Sequence, residues 1–190
     1  MPIPSCPVDN DAQRIVDSTG ALELGRVPKT MVVVGGGYIG LEMGSVWRRL
    51  GTEVTVVEYA DRIVPAMDQE ISSNFQKILK KQGMKFQMGT KITGSQLNAS
   101  GESVELTVEP AAGGEPSTME ADVVLVSAGR RPFTAGLGLD DVGILTNDHT
   151  GTSSGVLECG ASKNDMNEYK LLSQQHEIFT VKNKNTRTDT

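Results

Sequence analysis

The amino-acid sequence predicts an α/β fold in which a parallel sheet carries an antiparallel hairpin as an insertion. Two observations predict the parallel sheet. The continuous apolar run at residues 31–34 and the valine-rich stretch at residues 54–57 are typical of strands buried on both faces, and apolar residues between them recur at helical spacing. A third observation predicts the hairpin: apolar and polar residues alternate over 104–108, as in a strand with one face in solvent.

Two helices are predicted to follow these buried strands. Apolar spacing predicts the first over residues 39–50, and Gly51 ends it because glycine readily adopts the left-handed conformation after a last turn. Asp68 is a suitable N-cap for the second helix, which ends before Gly83. The core-facing stripe of the second helix is predicted to consist of Ile71, Phe75, Ile78 and Leu79.

Shorter signals predict the remaining strands. Alternation over residues 84–88 predicts a third strand, and residues 111–116, which contain glycine and proline, predict the turn of the hairpin. Residues 123–126 predict a buried return strand that runs into Gly129. Strands that alternate with helices in this order imply right-handed crossovers between parallel neighbours.

Three segments of the chain differ in composition. Residues 1–30 are rich in turn formers and are predicted to be a leading segment with little regular structure. Residues 31–144 contain the strands and helices and are predicted to form the core domain. Residues 145–190 are predicted to be a divergent, disordered tail, because their polar stretches cannot bury enough apolar area to offset the entropy of ordering. Residues 171–172 and 178–179 leave open a short helix or an interaction site there.

Composition excludes several classes of function. The 190 residues carry a net charge of −6 at pH 7, which argues against a nucleic-acid-binding surface. No apolar run approaches the roughly 20 residues of a membrane span, and we find no targeting peptide. The cysteines, Cys6 and Cys159, lie far apart, and the histidines are His149 and His176. We therefore expect no disulfide scaffold, no paired-cysteine redox centre and no metal site.

A glycine-rich motif follows the first buried strand. It fits G-x-G-x-x-G between a predicted strand and a predicted helix, with the residues Gly35-Gly36-Gly37-Tyr38-Ile39-Gly40. The first glycine allows the tight turn, the third lets the backbone approach a pyrophosphate, and the last lets the helix pack closely on the strand. The free N–H groups and the positive end of the helix dipole would face the phosphates.

An acidic residue stands where this motif requires one. Glu58 ends the second buried strand, about 20 residues beyond the motif, and would accept hydrogen bonds from the adenosine ribose hydroxyls. The glycine motif and Glu58 together predict a Rossmann-like sheet that binds NAD. They favour NAD over NADP because a carboxylate at position 58 repels the 2′-phosphate of NADP. Arg62 alone favours NADP, and Asp61 opposes it. A glycine-rich turn beside an ordinary surface acid stays open as the alternative.

Three further positions are candidates. Gly129 begins Gly-Arg-Arg-Pro at the carboxyl end of a predicted strand, where open α/β sheets bind ligands, and a simple strand-ending turn with solvated arginines stays open as the alternative. Glu42 either faces the nicotinamide side of the site or favours the helix dipole. Tyr38 either contacts the ligand or is a bystander ring.

The longer pattern resembles a known family. Residues 32–58, VVVGGGYIGLEMGSVWRRLGTEVTVVE, are similar to the NAD-binding domain of the flavoprotein disulfide reductases, and within them to the dihydrolipoyl dehydrogenases, the E3 components of 2-oxo acid dehydrogenase complexes. The resemblance runs from about residue 9 to about residue 144. Other stretches that carry it are residues 18–22, 27–28, 44–47, 74–79, 82–83, 90–94 and 129–133.

The resemblance implies a fold and a set of site residues. The fold is the FAD/NAD(P)-binding domain of the pyridine nucleotide-disulfide oxidoreductases, a Rossmann-like parallel sheet with an antiparallel hairpin insertion over residues 31–144. Glu58 would take the ribose, Ile92 would lie near the adenine, and Gly129 would close the other side of the cofactor. The pyrophosphate and nicotinamide side would be lined by Gly35, Gly36, Gly37, Tyr38, Ile39, Gly40, Leu41 and Glu42.

The resemblance also implies a reaction and partners. The family enzyme passes electrons from dihydrolipoamide through a disulfide and FAD to NAD, as a homodimer within a 2-oxo acid dehydrogenase complex, in the mitochondrial matrix or a plastid. This sequence departs from the pattern: it has one glycine motif, no closely spaced cysteines and no histidine in the family's His–Glu context. We therefore expect the chain to bind NAD(H) but not FAD by itself, to lack the dimerisation domain and catalytic residues, and to be inactive alone.

Three alternatives stay open at this point. The chain could come from a related NADH-linked flavoprotein oxidoreductase. It could be a non-catalytic nucleotide-binding module whose tail is an interaction segment. It could also be a non-functional truncated product.

Overall fold

A computed structural model describes Val8, Asp11, residues 13–129 and 136–139, and four two-residue strands closer to the carboxyl terminus. The chain divides into two compact units, Met1–Arg130 and Arg131–Thr190. In chain order, the elements of the first unit are β1 (Ile15–Val16), α1 (Ser18–Leu22), β2 (Thr30–Val34), α2 (Tyr38–Arg49), β3 (Glu53–Val57), α3 (Gln69–Lys81), β4 (Lys85–Gln87), β5 (Thr90–Leu97), β6 (Val104–Pro110), β7 (Ser117–Ala121) and β8 (Val123–Val126).

Five strands form the parallel sheet that the sequence predicts. Their order is β1-β8-β2-β3-β4, and every neighbouring pair is parallel. The helix α2 connects β2 to β3, and α3 connects β3 to β4. The predicted Rossmann-like α/β class is therefore confirmed.

Three strands form the antiparallel insertion between β4 and β8. Their order is β5-β6-β7, and the turn predicted at residues 111–116 joins β6 to β7. The sequence did not predict β5 as a strand. Its register shifts between Ile92 and Gly94, which interrupts the alternation that would have indicated a strand.

The core lies on both faces of the parallel sheet. Met31 and Val33 of β2 pack with Leu41 of α2 in one buried cluster, to which α1, α3 and the loop after β3 also contribute. Val32 of β2 packs with Leu106 of β6 in a second cluster, together with other residues of the antiparallel sheet. Helices thus cover one face and the antiparallel sheet covers the other, which explains why these strands are apolar at successive positions.

The predicted end of α2 at Gly51 and the predicted ends of α3 at Asp68 and Gly83 are confirmed. Gly37 is the N-cap of α2, and Gly51, just after its C-cap, has φ +109°. Asp68 caps α3 by accepting a 2.8 Å hydrogen bond from the N–H of Glu70, and Gly83 follows this helix with φ +92°. The Asp68 carboxylate pairs a backbone N–H at the start of α3, and the positive φ of Gly51 and Gly83 ends the helical conformation after α2 and α3.

The predicted core-facing stripe of α3 is only partly right. Leu79 is buried and Phe75 is partly buried, but Ile71 and Ile78 are more than half exposed. Ser72 occupies the core-facing position instead and donates its hydroxyl to the Val64 carbonyl. A polar residue that has a buried partner takes part in the core without contributing to the apolar pattern.

The leading segment contains more structure than the sequence predicts. Ile15 and Val16 form β1, paired with Val124 and Leu125 of β8, and Asp17 caps the short helix α1. A two-residue strand is too short to show periodicity, and its partner is more than 100 residues away. The remaining residues before position 13, Val8 and Asp11 apart, lie outside the described part.

The second unit is described only in short pieces. β9 (Leu145–Thr146) pairs antiparallel with β10 (Ser153–Ser154), and β11 (Leu171–Leu172) pairs antiparallel with β12 (Ile178–Phe179). The rest of the segment predicted to be a disordered tail lies outside the described residues, as do both cysteines and both histidines. Where the structure is described, helices reach at most 13 residues, and none has the length and apolarity to cross a membrane.

Candidate functional site

The carboxyl ends of three parallel strands meet at one edge of the sheet. Gly35 follows β2, Glu58 follows β3 and Ser127 follows β8. The strands are in register there, because Val34 lies opposite Val57 on one side and Val126 on the other. The glycine motif and the predicted acidic residue are thus brought together, with Gly129 two residues beyond Ser127.

Gly35 makes the turn that leaves the sheet. Its N–H donates to the Val57 carbonyl at 2.9 Å, and its φ is +105°. A Cβ at this position would lie 2.8 Å from the Ser127 carbonyl oxygen. Both the backbone conformation and the space therefore require glycine.

Gly37 and Gly40 differ in what surrounds them. A Cβ at Gly40 would lie 2.4 Å from the Ser127 hydroxyl oxygen and 2.6 Å from the Gly35 carbonyl oxygen, so close helix–strand packing depends on glycine there. A Cβ at Gly37 would meet no heavy atom within 4 Å. No side chain of the described residues caps α2 at this end. The start of the helix is open in front of Gly37, as close approach of an anion requires.

The Glu58 carboxylate is held against the glycine loop. Its Oε2 accepts a 2.5 Å hydrogen bond from the Gly36 N–H, and its Oε1 accepts a 2.8 Å hydrogen bond from the Ala60 N–H. A carboxylate offers about four acceptor positions, so about two remain for a ligand. The side chain is half-buried. Glu58 is thus fixed in place and still able to accept hydrogen bonds from hydroxyl groups.

Two residues at this edge were missed by sequence reasoning. The Ser127 N–H and hydroxyl both donate to the Val34 carbonyl, at 2.9 and 3.0 Å, which ties the end of β8 to the glycine loop. The Val64 N–H donates to the Gly36 carbonyl at 2.9 Å. Neither residue belongs to a motif, and no signal in the sequence links it to its partner.

The predicted site residues are not equally accessible. Tyr38 and Glu42 are exposed at the start of α2, and Gly129 is exposed with φ +135°. The side chain of Leu41 is buried in the core and its N–H donates to the Gly37 carbonyl. The side chain of Ile92 is buried between the two sheets. The structure therefore does not bring the side chains of Leu41 and Ile92 to the surface of the site.

Charges near Glu58 bear on the type of nucleotide. The guanidinium of Arg62 donates to the Pro65 carbonyl at 2.9 Å within its own loop. Asp61 is exposed beside it. Arg130 and Arg131, which follow Gly129, lie outside the described residues. Across the described ranges, no group of three or more His, Cys, Asp or Glu side chains has an arrangement that could hold a metal ion.

Relatives of known name match most of this chain. It is 63% identical to leghemoglobin reductase of Vigna unguiculata over 136 residues, and this matched stretch covers 72% of this chain and 26% of the relative. It is 62% identical over 136 residues to mitochondrial dihydrolipoyl dehydrogenase of Pisum sativum, covering 72% and 27%. It is 57% identical over 145 residues to dihydrolipoyl dehydrogenase 3 of Pseudomonas putida, covering 76% and 30%. The chain thus spans between a quarter and a third of the length of these relatives.

Solved structures and a family model agree with these relatives. The fold is similar to the Cu(II) complex of the HOCl-induced flavoprotein disulfide reductase RclA of Escherichia coli, with TM-score 0.66 and 28% identity over 82% of this chain and 33% of that one. It is similar to LpdA of Mycobacterium tuberculosis, with TM-score 0.63 and 27% identity over 77% and 30%. The model of the pyridine nucleotide-disulphide oxidoreductases matches residues 1–155. This chain therefore belongs to the pyridine nucleotide-disulphide oxidoreductase family.

Proposed function

We propose that this chain binds NAD(H) and supplies the NAD site of a dihydrolipoyl dehydrogenase-like flavoprotein oxidoreductase. The observation that carries the proposal is the Glu58 carboxylate, which lies against the glycine loop and keeps acceptor positions for a ribose. The domain that contains this site spans residues 31–144 in the proposal.

The glycine loop fits a pyrophosphate. The space in front of Gly37 is open, and the first N–H groups of α2 have no side-chain cap among the described residues. Unpaired N–H groups and the positive end of the helix dipole both favour a bound anion. Gly35, Gly36 and Gly40 shape this loop, while Tyr38 and Ile39 begin the helix beside it.

Glu58 favours NAD over NADP. Its free acceptor positions suit the 2′- and 3′-hydroxyls of the adenosine ribose, whereas a 2′-phosphate would face a carboxylate of like charge. One N–H of the Arg62 guanidinium donates to the Pro65 carbonyl within its own loop, which supports this preference. In this proposal position 92, at the start of β5, lies beside the adenine. The Thr90 N–H donates to the Glu58 carbonyl at 2.9 Å, which supports this placement.

The other half of the dinucleotide would extend toward Gly129 and Glu42. Both residues are exposed near the same edge of the sheet. In this proposal Gly129 would let the backbone come close to a ring, and Glu42 would face the nicotinamide. Position 41 would contribute only through the shape of the helix, since the Leu41 side chain is buried. NAD supplies a hydride acceptor when bound, and these residues bind and orient it.

The names of the relatives support a wider proposal for the complete protein. It would pass electrons from dihydrolipoamide through a disulfide and FAD to NAD, as a homodimer in a 2-oxo acid dehydrogenase complex. Plant relatives with mitochondrial names support the mitochondrial matrix as its location. This chain would supply the NAD site of that protein. We expect no lipoamide turnover by the purified chain, because the described residues offer no group that could pass a hydride to NAD.

A parallel titration tests the proposal. The 190-residue chain is titrated with NADH, NADPH and FAD, and binding is followed by calorimetry. We expect saturable binding of NADH, at least about tenfold weaker binding of NADPH, and no binding of FAD by the single glycine motif. Equal or tighter binding of NADPH would show that Glu58 does not select the nucleotide. Absence of NADH binding would overturn the proposed function.

A further inference from the structure

The turn at Val64 has an unusual backbone conformation. Its φ of +39° lies in the left-handed region, and among the described residues no other residue except glycine has a positive φ. This region is unfavourable for a β-branched side chain. Val64 is nevertheless buried in the core cluster on the helical face of the sheet. Such a conformation persists only where the surrounding structure imposes it, and it often marks a functional site.

Three hydrogen bonds hold this turn. The Val64 N–H donates to the Gly36 carbonyl at 2.9 Å, and the Val64 carbonyl accepts the Met67 N–H at 2.8 Å and the Ser72 hydroxyl at 3.3 Å. Ser72 is buried near the start of α3. A chain of contacts therefore runs from α3 through Val64 to the second residue of the glycine loop.

The contact with Gly36 has a consequence for Gly37. Because the peptide bond is planar and trans, the carbonyl of Gly36 and the N–H of Gly37 point in opposite directions. Val64 holds that carbonyl, so it also directs the Gly37 N–H away from the Val64 turn. On the other side, the Gly36 N–H is held by Glu58. Both ends of Gly36 are thus fixed before any ligand arrives.

We propose that Val64 is a positioning residue of the nucleotide site. Its strained turn holds the Gly36 carbonyl so that the Gly37 N–H is presented to the pyrophosphate in advance. The inference rests on the proposed function and adds a residue that lies outside the glycine motif. An amide that is oriented beforehand loses less entropy when the ligand binds, which raises affinity.

The experiment compares variants in the full chain. Val64→Pro removes the N–H donor and forbids the positive φ, whereas Val64→Gly keeps the donor and adopts this φ without strain. Ser72→Ala removes one of the two donors to the Val64 carbonyl and leaves the Met67 N–H. Ser73→Ala is its matched control because Ser73 is exposed on the same helix. Backbone ¹⁵N order parameters of Gly36 and Gly37 are measured without ligand, and NADH affinity and melting temperature are measured separately.

The expected results separate positioning from general stability. Val64→Pro lowers the order parameters from about 0.85 to below about 0.6 and weakens NADH binding by about tenfold or more. Ser72→Ala lowers the order parameters to a smaller degree and weakens NADH binding by about threefold. Its melting temperature stays near that of Ser73→Ala. Ser73→Ala binds NADH nearly as the natural sequence does. Val64→Gly keeps the N–H donor, so it loses less affinity than Val64→Pro, although its melting temperature falls because a buried side chain is removed.

Unchanged order parameters and unchanged NADH affinity in both Val64→Pro and Ser72→Ala would overturn the inference. If Val64→Pro does not fold, the comparison of Ser72→Ala with Ser73→Ala decides. If the natural sequence itself does not bind NADH, the proposed function fails. The order parameters of the ligand-free protein then still show whether Val64 positions the loop.

Discussion

Two glutamates at opposite ends of β3 differ sharply in their surroundings. Glu53 begins the strand, is exposed and pairs with Lys85 of β4. The hydrogen bond and the positive charge of Lys85 lower the pKa of the Glu53 carboxyl. Glu58 follows the strand, and its carboxylate accepts the backbone N–H groups of Gly36 and Ala60. One residue type therefore serves as a surface ion-pair partner at the amino end of the sheet and as part of the candidate site at the carboxyl end, where the glycine loop leaves backbone N–H groups to be paired.

The largest expected effect comes from removing each glutamate in turn. Glu58→Ala should weaken NADH binding by about ten- to a hundredfold, because hydrogen bonds to a charged group contribute about 1.5–3 kcal/mol. Glu53→Ala is the matched control and should leave NADH affinity unchanged, since its carboxylate lies at the other end of the strand. Calorimetric titration of both variants makes the comparison. Equal affinity in the two variants would remove Glu58 from the site.

Gly40 and Gly37 of the motif allow the effect of a substitution on stability to be separated from its effect on NADH binding. Gly40→Ala forces a Cβ against the Gly35 carbonyl oxygen and should lower the free energy of unfolding by about 1–3 kcal/mol. Gly37→Ala meets open space, so it should unfold at nearly the same urea concentration as the natural sequence and still bind NADH more weakly. Urea unfolding and NADH titration measure the two effects. A stability loss in Gly37→Ala as large as that in Gly40→Ala would contradict the distinction.

Removal of the Ser127 hydroxyl should have a smaller effect. Ser127→Ala loses the hydrogen bond to the Val34 carbonyl and should lower the free energy of unfolding by about 1 kcal/mol. The Ser127 N–H still donates to the same carbonyl, so the strand ends should stay together. Urea unfolding measures this loss, with the exposed Ser73→Ala as its control. A variant as stable as that control would show that the hydroxyl does not help to tie β8 to the glycine loop.

The smallest expected effect concerns Asp11, whose side chain accepts hydrogen bonds only from residues 13–15 among the described residues, outside the candidate site. Burial raises the pKa of the Asp11 carboxyl, but hydrogen bonds from the N–H groups of Ile15, Gln13 and Arg14 outweigh it, so the pKa is lowered overall. Asp11 therefore stabilises the fold above its unfolded pKa, near 4, and this contribution is lost as the pH falls through the lower folded pKa. Asp11→Asn should melt earlier at pH 7, with a difference that shrinks in acid, and its NADH affinity should be unchanged. A difference that grows in acid would show the opposite sign.

Local patterns predicted much of the fold and the centre of the site. The apolar runs of β2 and β3, the caps at Asp68 and Gly51, and the spacing from the glycine motif to Glu58 all lie within short stretches of sequence. Each of these features depends on a residue type that only a few local conformations favour. The parallel pairing of the strands, though not their order in the sheet, was predicted from the alternation of strands and helices.

The features that were missed depend on partners distant in sequence. Ser127 is 93 residues from Val34, and β1 is joined to β8 over a similar distance. The positive φ of Val64 occurs with hydrogen bonds to Gly36, Met67 and Ser72, and the β-branched residue type argues against this φ. Pattern and propensity describe neighbours along the chain, so contacts of this kind become visible only in the folded structure.

The most direct test of the proposed site is to map NADH binding on the labelled chain by NMR. Backbone amide shifts are followed during titration of the 190-residue protein with NADH. We expect the largest changes at residues 35–42, Glu58 and Gly129, and almost none at Glu53 or Lys85 at the other end of the sheet. Saturation of the chain with changes centred on Glu53 and Lys85, or no change at any concentration, would contradict the assignment of the NAD site to the carboxyl edge.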